Sequence, residues 1–318
     1  MPERPEVSDG LDIVAIGEAM VEFSQVRRDD PGGWLQGFGG DTSNTVIAAS
    51  RLGARAGYIT RVGDDPFGRR LLDLWRSEDV DTSGVAVDPG APTGVYFVSH
   101  GADGHEFAYL RGGSAASRLA PASLPLDLIT SARVLHVSAI SQAISASACD
   151  ACFAAIDAAR AAGVRIAYDT NLRLKLWPLA RARAIVFASL RSADWALPSL
   201  DDARLLFDVD DPPRIVDACH ALGSTTVVLK LGPEGCVVSD GARREHLPGK
   251  RVRAVDATGA GDCFDGAFVT RILAGDDPFT AARYANVAAA LTTLGYGAVA
   301  PLPGAADVAH AMAAGAGP

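Results

Sequence analysis

Short runs of consecutive apolar residues alternate along the chain with longer stretches whose apolar positions recur at helical spacing. The runs at 11–16, 56–60, 133–137, 164–168, 195–197 and 225–230 have strand length and little internal alternation. That is the pattern of strands buried on both faces of a mostly parallel sheet. Helices are predicted between them at 42–52, 66–78, 145–162, 179–190, 200–207 and 212–222. The last part of the chain adds 259–273 and 278–294, with a final short helix at 305–313. Strand–helix alternation of this kind predicts a doubly wound α/β sandwich that binds its ligand at the C-terminal ends of the strands. Two regions depart from it. Residues 19–38 and 93–110 read as short alternating strands with turn residues (Pro31-Gly32-Gly33 and Asp103-Gly104). They predict a small antiparallel sheet that covers the site as a lid.

Composition narrows the function. The 318 residues are 48% hydrophobic and 21% charged, ordinary globular values that allow a sizeable core. A net charge of −9 argues against nucleic acid or an anionic membrane as partner, while leaving room for an anionic small molecule held locally. The polar segment 1–10 reads as a frayed tail without the apolar core of a signal peptide, 314–318 as a second tail, and no apolar stretch reaches membrane-spanning length. Five cysteines, an odd number, point to reduced thiols and a cytoplasmic location. Cys149 and Cys152 form a CxxC inside an Ala-rich helical run with no second Cys pair or nearby His. They read as buried helix residues, not as a zinc or redox pair.

The densest chemistry lies at Asp256-Ala257-Thr258-Gly259-Ala260-Gly261-Asp262, which runs directly into an apolar helix. Small residues uncover the backbone N–H groups of a helix N-terminus, which is an anion site. Asp262 falls in the first turn beside that anion, where a carboxylate has a clear use: accepting the proton of an alcohol that attacks a phosphate. An inert Gly-rich N-cap explains the same letters. Other candidates sit where the topology puts strand ends. Gly39-Gly40-Asp41-Thr42-Ser43-Asn44 opens a helix, with glycines that admit a close ligand and Asn44 facing the mouth; a plain turn and N-cap fits too. Tyr96, Tyr109 and Arg111 lie on the lid, the last two sharing a face, with a solvated arginine as the alternative. Asp169-Thr170-Asn171-Leu172-Arg173 follows a strand and places polar groups at its end. Lys230-Leu231-Gly232-Pro233-Glu234-Gly235 caps another strand as a nucleotide-contacting turn or a β-hairpin. There is no GxxxxGK[ST] and no GxGxxG, so neither a Walker nor a Rossmann site is indicated.

Together these segments resemble, in order and spacing, the ribokinase-like (phosphofructokinase-B) carbohydrate kinase family. The resemblance covers roughly residues 11–303 and rests above all on Asp-Ala-Thr-Gly-Ala-Gly-Asp. It implies a single three-layer α/β domain over 11–303 with a mostly parallel central sheet and a small β lid, ATP as phosphoryl donor, and Mg²⁺. It further implies that Asp262 is the general base and that the amides of Gly259, Ala260 and Gly261 hold the migrating phosphoryl group. By the same resemblance Lys230, Gly232 and Gly235 line the nucleotide, Asn286 lies near the adenine, and Asp256 with the 295–297 loop forms a monovalent-cation (K⁺) site. One departure stands out. The family's Asn-x-x-Glu is here Ser199-Leu200-Asp201-Asp202, so Asp202 offers the outer-shell Mg²⁺ carboxylate one methylene short.

The lid run 107–117, with Tyr109-Leu110-Arg111 and Ser114, and Tyr96 before it, resembles that of 2-keto-3-deoxygluconate kinases. The run from Asp169 to Pro178 resembles fructokinases as well. The expected substrate is 2-keto-3-deoxygluconate, phosphorylated at its terminal hydroxyl, with Gly39, Gly40, Asn44, Tyr96, Tyr109, Arg111, Asn171 and Arg173 around it. Two arginines at the mouth suit a carboxylate. Fructokinase is the alternative, and a sugar- or nucleotide-binding regulator without turnover is a third reading. Exposed lid strands are also expected to pair between subunits of a homo-oligomer.

Overall fold

A computed structural model describes residues 10–27, 30–101 and 104–314. Tail residues 1–9 and 315–318, and Asp103 of the expected lid turn, lie outside the described residues.

The central sheet takes β1 (Ile13–Ile16), β4 (Ala56–Gly63), β5 (Val85–Asp88), β8 (Val134–Ser138), β9 (Arg165–Asp169), β10 (Trp195–Ala196), β11 (Thr226–Lys230), β12 (Cys236–Ser239) and β13 (Arg244–Leu247). The remaining strands, β2 (Met20–Arg27), β3 (Asp30–Gly39), β6 (Val95–Gly101) and β7 (Gly104–Leu110), form a separate sheet. In the large sheet the order is β13-β12-β11-β10-β9-β8-β1-β4-β5. It is parallel from β5 to β11, and β12 and β13 add an antiparallel hairpin at one edge. The uninterrupted apolar runs are explained by burial on both faces. In β1, Ile13 and Ala15 enter one core and Val14 and Ile16 the other, all four without solvent exposure.

Each core belongs to one helical layer. The first holds α1 (Asp41–Arg51) and α2 (Pro66–Ser77), then, skipping ahead in the chain, α9 (Ala260–Leu273), α10 (Pro278–Thr292) and α11 (Ala305–Ala314). The second holds α3 (Leu126–Ser131), α4 (Ala139–Ala143), α5 (Ala146–Ala161), α6 (Leu179–Leu190), α7 (Leu200–Phe207) and α8 (Pro212–Leu222). Three helix starts are written locally as Asp-Pro: Asp65, Asp211 and Asp277 each accept a backbone N–H of the first turn while proline occupies the first helical position. The CxxC cysteines lie buried in α5, and all five cysteines are free and buried. No helix among the described residues is long and apolar enough to cross a membrane.

The expected lid exists, with one correction. It is a mixed sheet of order β3-β2-β6-β7, not an antiparallel one, because β2 and β6 pair in parallel. Connectivity gives the reason. β2 leaves the body directly after β1, and β6 leaves it after β5, so both strands travel outward and β3 and β7 bring the chain back. Val21 and Val95 anchor the lid in the first core, and Phe23 packs against Phe67 of α2 at a centroid distance of 5.9 Å. β5 and β13 lie outside the six apolar runs, whereas β12 is the second strand of the hairpin expected after Lys230. β5 and β13 are edge strands with mixed exposure, so they lack the continuous apolar signal of the centre.

Candidate active site

The strand ends converge as the doubly wound pattern requires. β8 ends at Ser138, β9 at Asp169 and β11 at Lys230, while α1 and α9 begin at the same edge. The turn before α9 needs its glycine: Gly259 has φ +77°, and a Cβ there would stand 2.7 Å from the Ala298 carbonyl oxygen. Of the three amides expected in the anion hole, that of Ala260 already donates to the Ala257 carbonyl at 3.2 Å. Gly261 is exposed, and its N–H belongs to the first helical turn, where backbone donors have no partner within the helix.

Asp262 is in that first turn. Its carboxylate accepts a hydrogen bond from the Asn44 side-chain amide at 2.8 Å, and Asn44 is itself buried one turn into α1. Burial pushes the Asp262 carboxyl up to about 7, helped by the charges of Asp41 and Asp169 and opposed by Asn44 and Lys230. A carboxylate poised near neutrality at a helix N-terminus suits general-base work. Asp41, first residue of α1, is buried, bonds the Ser138 hydroxyl through one oxygen and leaves the other without a partner. Burial raises its pKa too.

Gly39 and Gly40 are tight against protein. A Cβ at Gly39 would collide with the Tyr96 hydroxyl at 2.2 Å, and Gly40, with φ +139°, stands against the Glu18 backbone. Tyr96 is buried and donates to Glu22, with its ring stacked on Tyr109 at 5.6 Å; Tyr109 is exposed. Arg111 is not a solvated arginine. It forms an ion pair with Glu18, which is 2% exposed and also accepts the Ser114 hydroxyl. Arg173, by contrast, is exposed and donates to the Leu172 carbonyl at 2.9 Å, with Asp41 and Asp202 within electrostatic reach. Asn171 is half-buried, its N–H donating to Asp169 at 3.3 Å. Asp202 accepts the Leu172 N–H at 3.0 Å, and burial raises its carboxyl. Ser199, in the place of the family's Asn, caps α7 and takes the Asp202 N–H at 3.3 Å.

The nucleotide candidates divide into two groups. Lys230 donates to both oxygens of Asp265 at 2.9 and 3.0 Å and to Asp169 at 3.2 Å. The segment after it is a hairpin between β11 and β12, with a 3₁₀ turn at Gly232–Glu234. Gly235 is required there, since a Cβ would lie 2.1 Å from the Leu247 carbonyl. Asn286 meets the same carbonyl, donating to it at 3.3 Å, so its amide ties α10 to the end of β13. Asp256 accepts from Thr258 N–H and hydroxyl at 2.9 and 2.7 Å and from Gly297 N–H at 2.9 Å, joining the two loops of the expected cation site.

Sequence reasoning passed over Glu18, Glu22 and Asp265. Asp265 carried a legible signal, an acid at i+3 from Asp262 inside an otherwise apolar helix. Glu18 and Glu22 carried none: apart from Ser24, two residues after Glu22, their partners are distant in sequence.

Residues 11–305 match the sequence model described as pfkB family carbohydrate kinase. The chain is similar to the 2-dehydro-3-deoxygluconokinase of Thermoproteus tenax, at 38% identity over 88% of this chain and 88% of that protein. It is also similar to fructokinase-2 of Solanum habrochaites, at 35% identity over 97% and 98% of the two chains. Among solved structures, a PfkB protein from Polaromonas sp. JS666 superposes with a TM-score of 0.87 at 30% identity, covering 94% of this chain and 99% of that one. The fructokinase of Vibrio cholerae O395, in its fructose, ADP and calcium ion bound form, gives 0.85 at 28% identity over 95% and 99%. The sheet order, the strand-end site and these matches agree: the chain has the ribokinase-like fold and belongs to the pfkB family of carbohydrate kinases.

Proposed function

We propose that this kinase transfers the terminal phosphoryl group of ATP to the terminal hydroxyl of 2-keto-3-deoxygluconate, giving 6-phospho-2-keto-3-deoxygluconate. The observation that carries the reading is Asp262, a base near neutrality at the α9 N-terminus, oriented by Asn44. Asp262 takes the hydroxyl proton, the freed oxygen attacks the phosphorus, and ADP leaves. The N-terminal amides of α9 around Gly259 and Gly261 offset charge on the moving phosphoryl group. The lid, with Tyr96 and Tyr109, closes over the sugar and excludes water. Asn44, Asn171 and the Gly39–Gly40 turn shape the sugar site, and Lys230, Gly232, Gly235 and Asn286 border the nucleotide.

Mg²⁺, when bound, neutralises the triphosphate; Asp202 is the carboxylate that would hold it through water. Its half-buried position in the first turn of α7, beside the end of β9, fits that role, and its short side chain leaves space for water between acid and ion. Asp256 and the 295–297 loop would hold K⁺. The acid fits, as it already draws both loops together. Self-association through the lid belongs to the same reading. Both edge strands expose a leucine, Leu35 on β3 and Leu110 on β7.

The keto-acid assignment is supported by the Thermoproteus relative and by the exposed guanidinium of Arg173, which has a backbone carbonyl as its hydrogen-bond partner and, among the described residues, no carboxylate bonded to it. A specific observation favours fructose as the second reading: Arg111 is already neutralised by Glu18, which leaves one arginine for a carboxylate. A regulator without turnover gains nothing from an acid beside phosphate, so Asp262 speaks against it. ADP release with a panel of sugars and sugar acids tests all three. Release is expected to be fastest with 2-keto-3-deoxygluconate. A preference for fructose overturns the substrate, and binding without release overturns the kinase.

A further inference from the structure

Beneath the anion-hole turn lies a buried cluster in which Lys230, beyond bordering the nucleotide, meets two carboxylates that the proposed chemistry has not used. The Lys230 ammonium contacts both oxygens of Asp265, which is fully buried on α9, and one oxygen of Asp169 at the end of β9. A Cβ built on Gly261 would lie 3.8 Å from the same ammonium. One cation therefore bridges β9, β11 and the first turns of α9, directly under the amides that face the phosphoryl group. Asp265 shares its helix face with Asp262, three residues earlier. Removing the lysine leaves a charge in the interior without a partner and an extra carboxylate beside the base.

We propose that Lys230 is a positioning residue: pinned by Asp169 and Asp265, its ammonium braces the anion-hole turn from below and balances the carboxylates around Asp262. The inference rests on Asp262 being the base. Its neighbourhood supports the balance. Asp41 and Asp169 push the Asp262 carboxyl up and Lys230 pulls it down, while Asp262 in turn helps hold Lys230 protonated. Burial raises the Asp265 carboxyl as well, opposed first by the Lys230 charge, and it favours the neutral form of three further groups that face the cluster. The Tyr96 hydroxyl is pushed up, His136 on β8 is brought down to about 4, and the Cys263 thiol is pushed up to about 12. Arg173 faces Asp41 and Asp202.

The test is a direct titration of the Asp262 carboxyl by NMR in the free protein, which needs no turnover, alongside the pH profile of kcat/KM. Lys230→Met is expected to move the Asp262 titration up by about one unit and Asp265→Asn to move it down. The double variant is expected to return it near the native value and to recover part of the thermal stability that Lys230→Met loses. Lys230→Arg, which keeps the charge, is expected to shift it least. If both single variants lower stability while the titration stays in place, or both move it the same way, the cluster is only a structural clamp and the proposal falls. Absence of ADP release from the native protein with every sugar would instead count against the kinase reading, and leaves the titration result standing on its own.

Discussion

The Asn44 side-chain amide donates to the Asp262 carboxylate at 2.8 Å across 218 residues of sequence. Asn44 lies one turn into α1 and Asp262 in the first turn of α9, so two helix N-termini meet at the base. The bond opposes burial and the charges of Asp41 and Asp169, and the resulting pKa is about 7. Activity needs the ionised form, so kcat/KM should rise with pH through about 7, well above the ordinary aspartate range. Asn44→Ala removes a donor to the ionised form, which raises the pKa and shifts the rise to higher pH. Profiles of both proteins across the neutral range check this, and a limb that stays or moves down would remove Asn44 from the role.

Asp262→Asn keeps the shape and removes the base. Turnover should fall by a factor on the order of 10² or more. ATP affinity should hold or rise slightly, because a negative charge beside phosphate is gone. Steady-state kinetics with a nucleotide-binding isotherm measure both, and near-native turnover would place the base elsewhere.

The two arginines should behave differently. Arg173→Leu should lower keto-acid efficiency about 10- to 150-fold, as expected for a lost charge-assisted contact, and fructose efficiency much less. Arg111→Leu strands the buried Glu18 carboxylate, so it should destabilise the fold by about 3–5 kcal/mol and depress every substrate together. Substrate ratios combined with thermal unfolding separate the two outcomes. A keto-acid ratio that Arg173→Leu leaves unchanged while a combined Glu18→Gln and Arg111→Leu variant narrows it would reassign the carboxylate to Arg111.

If the lid closes on the sugar, amide exchange in β6 and β7 should slow when substrate binds and change less with ATP alone. Equal protection in both states would make the sheet fixed structure or a subunit interface.

Gly259 and Gly261 make a paired test of the turn. Gly259→Ala must place a side chain at positive φ and against the Ala298 carbonyl, at a cost of about 1–3 kcal/mol from the backbone alone. Gly261→Ala meets only the end of Lys230 at ordinary contact distance, so its thermal midpoint should stay near native. Equal losses in the two variants would contradict the geometry.

The chain's own letters determined the central strands, most helices and the Asp256–Asp262 turn. These depend on local rules: burial on both faces writes continuous apolar runs, Asp-Pro writes helix starts, and a positive φ demands glycine. Edge strands β5 and β13 were not legible, since half-exposed residues carry mixed polarity. The parallel pairing of β2 with β6 was not legible either, because it follows from where two separate excursions leave the body. Only the tertiary structure decided which charges meet. Glu18 lies far from Arg111 in sequence, and Lys230 from both Asp169 and Asp265. Sequence spacing fixes contacts within a helix or a strand, but contacts between strand ends are set by sheet order. It is those contacts that pair Arg111 with Glu18 and set Lys230 at the centre of a buried cluster.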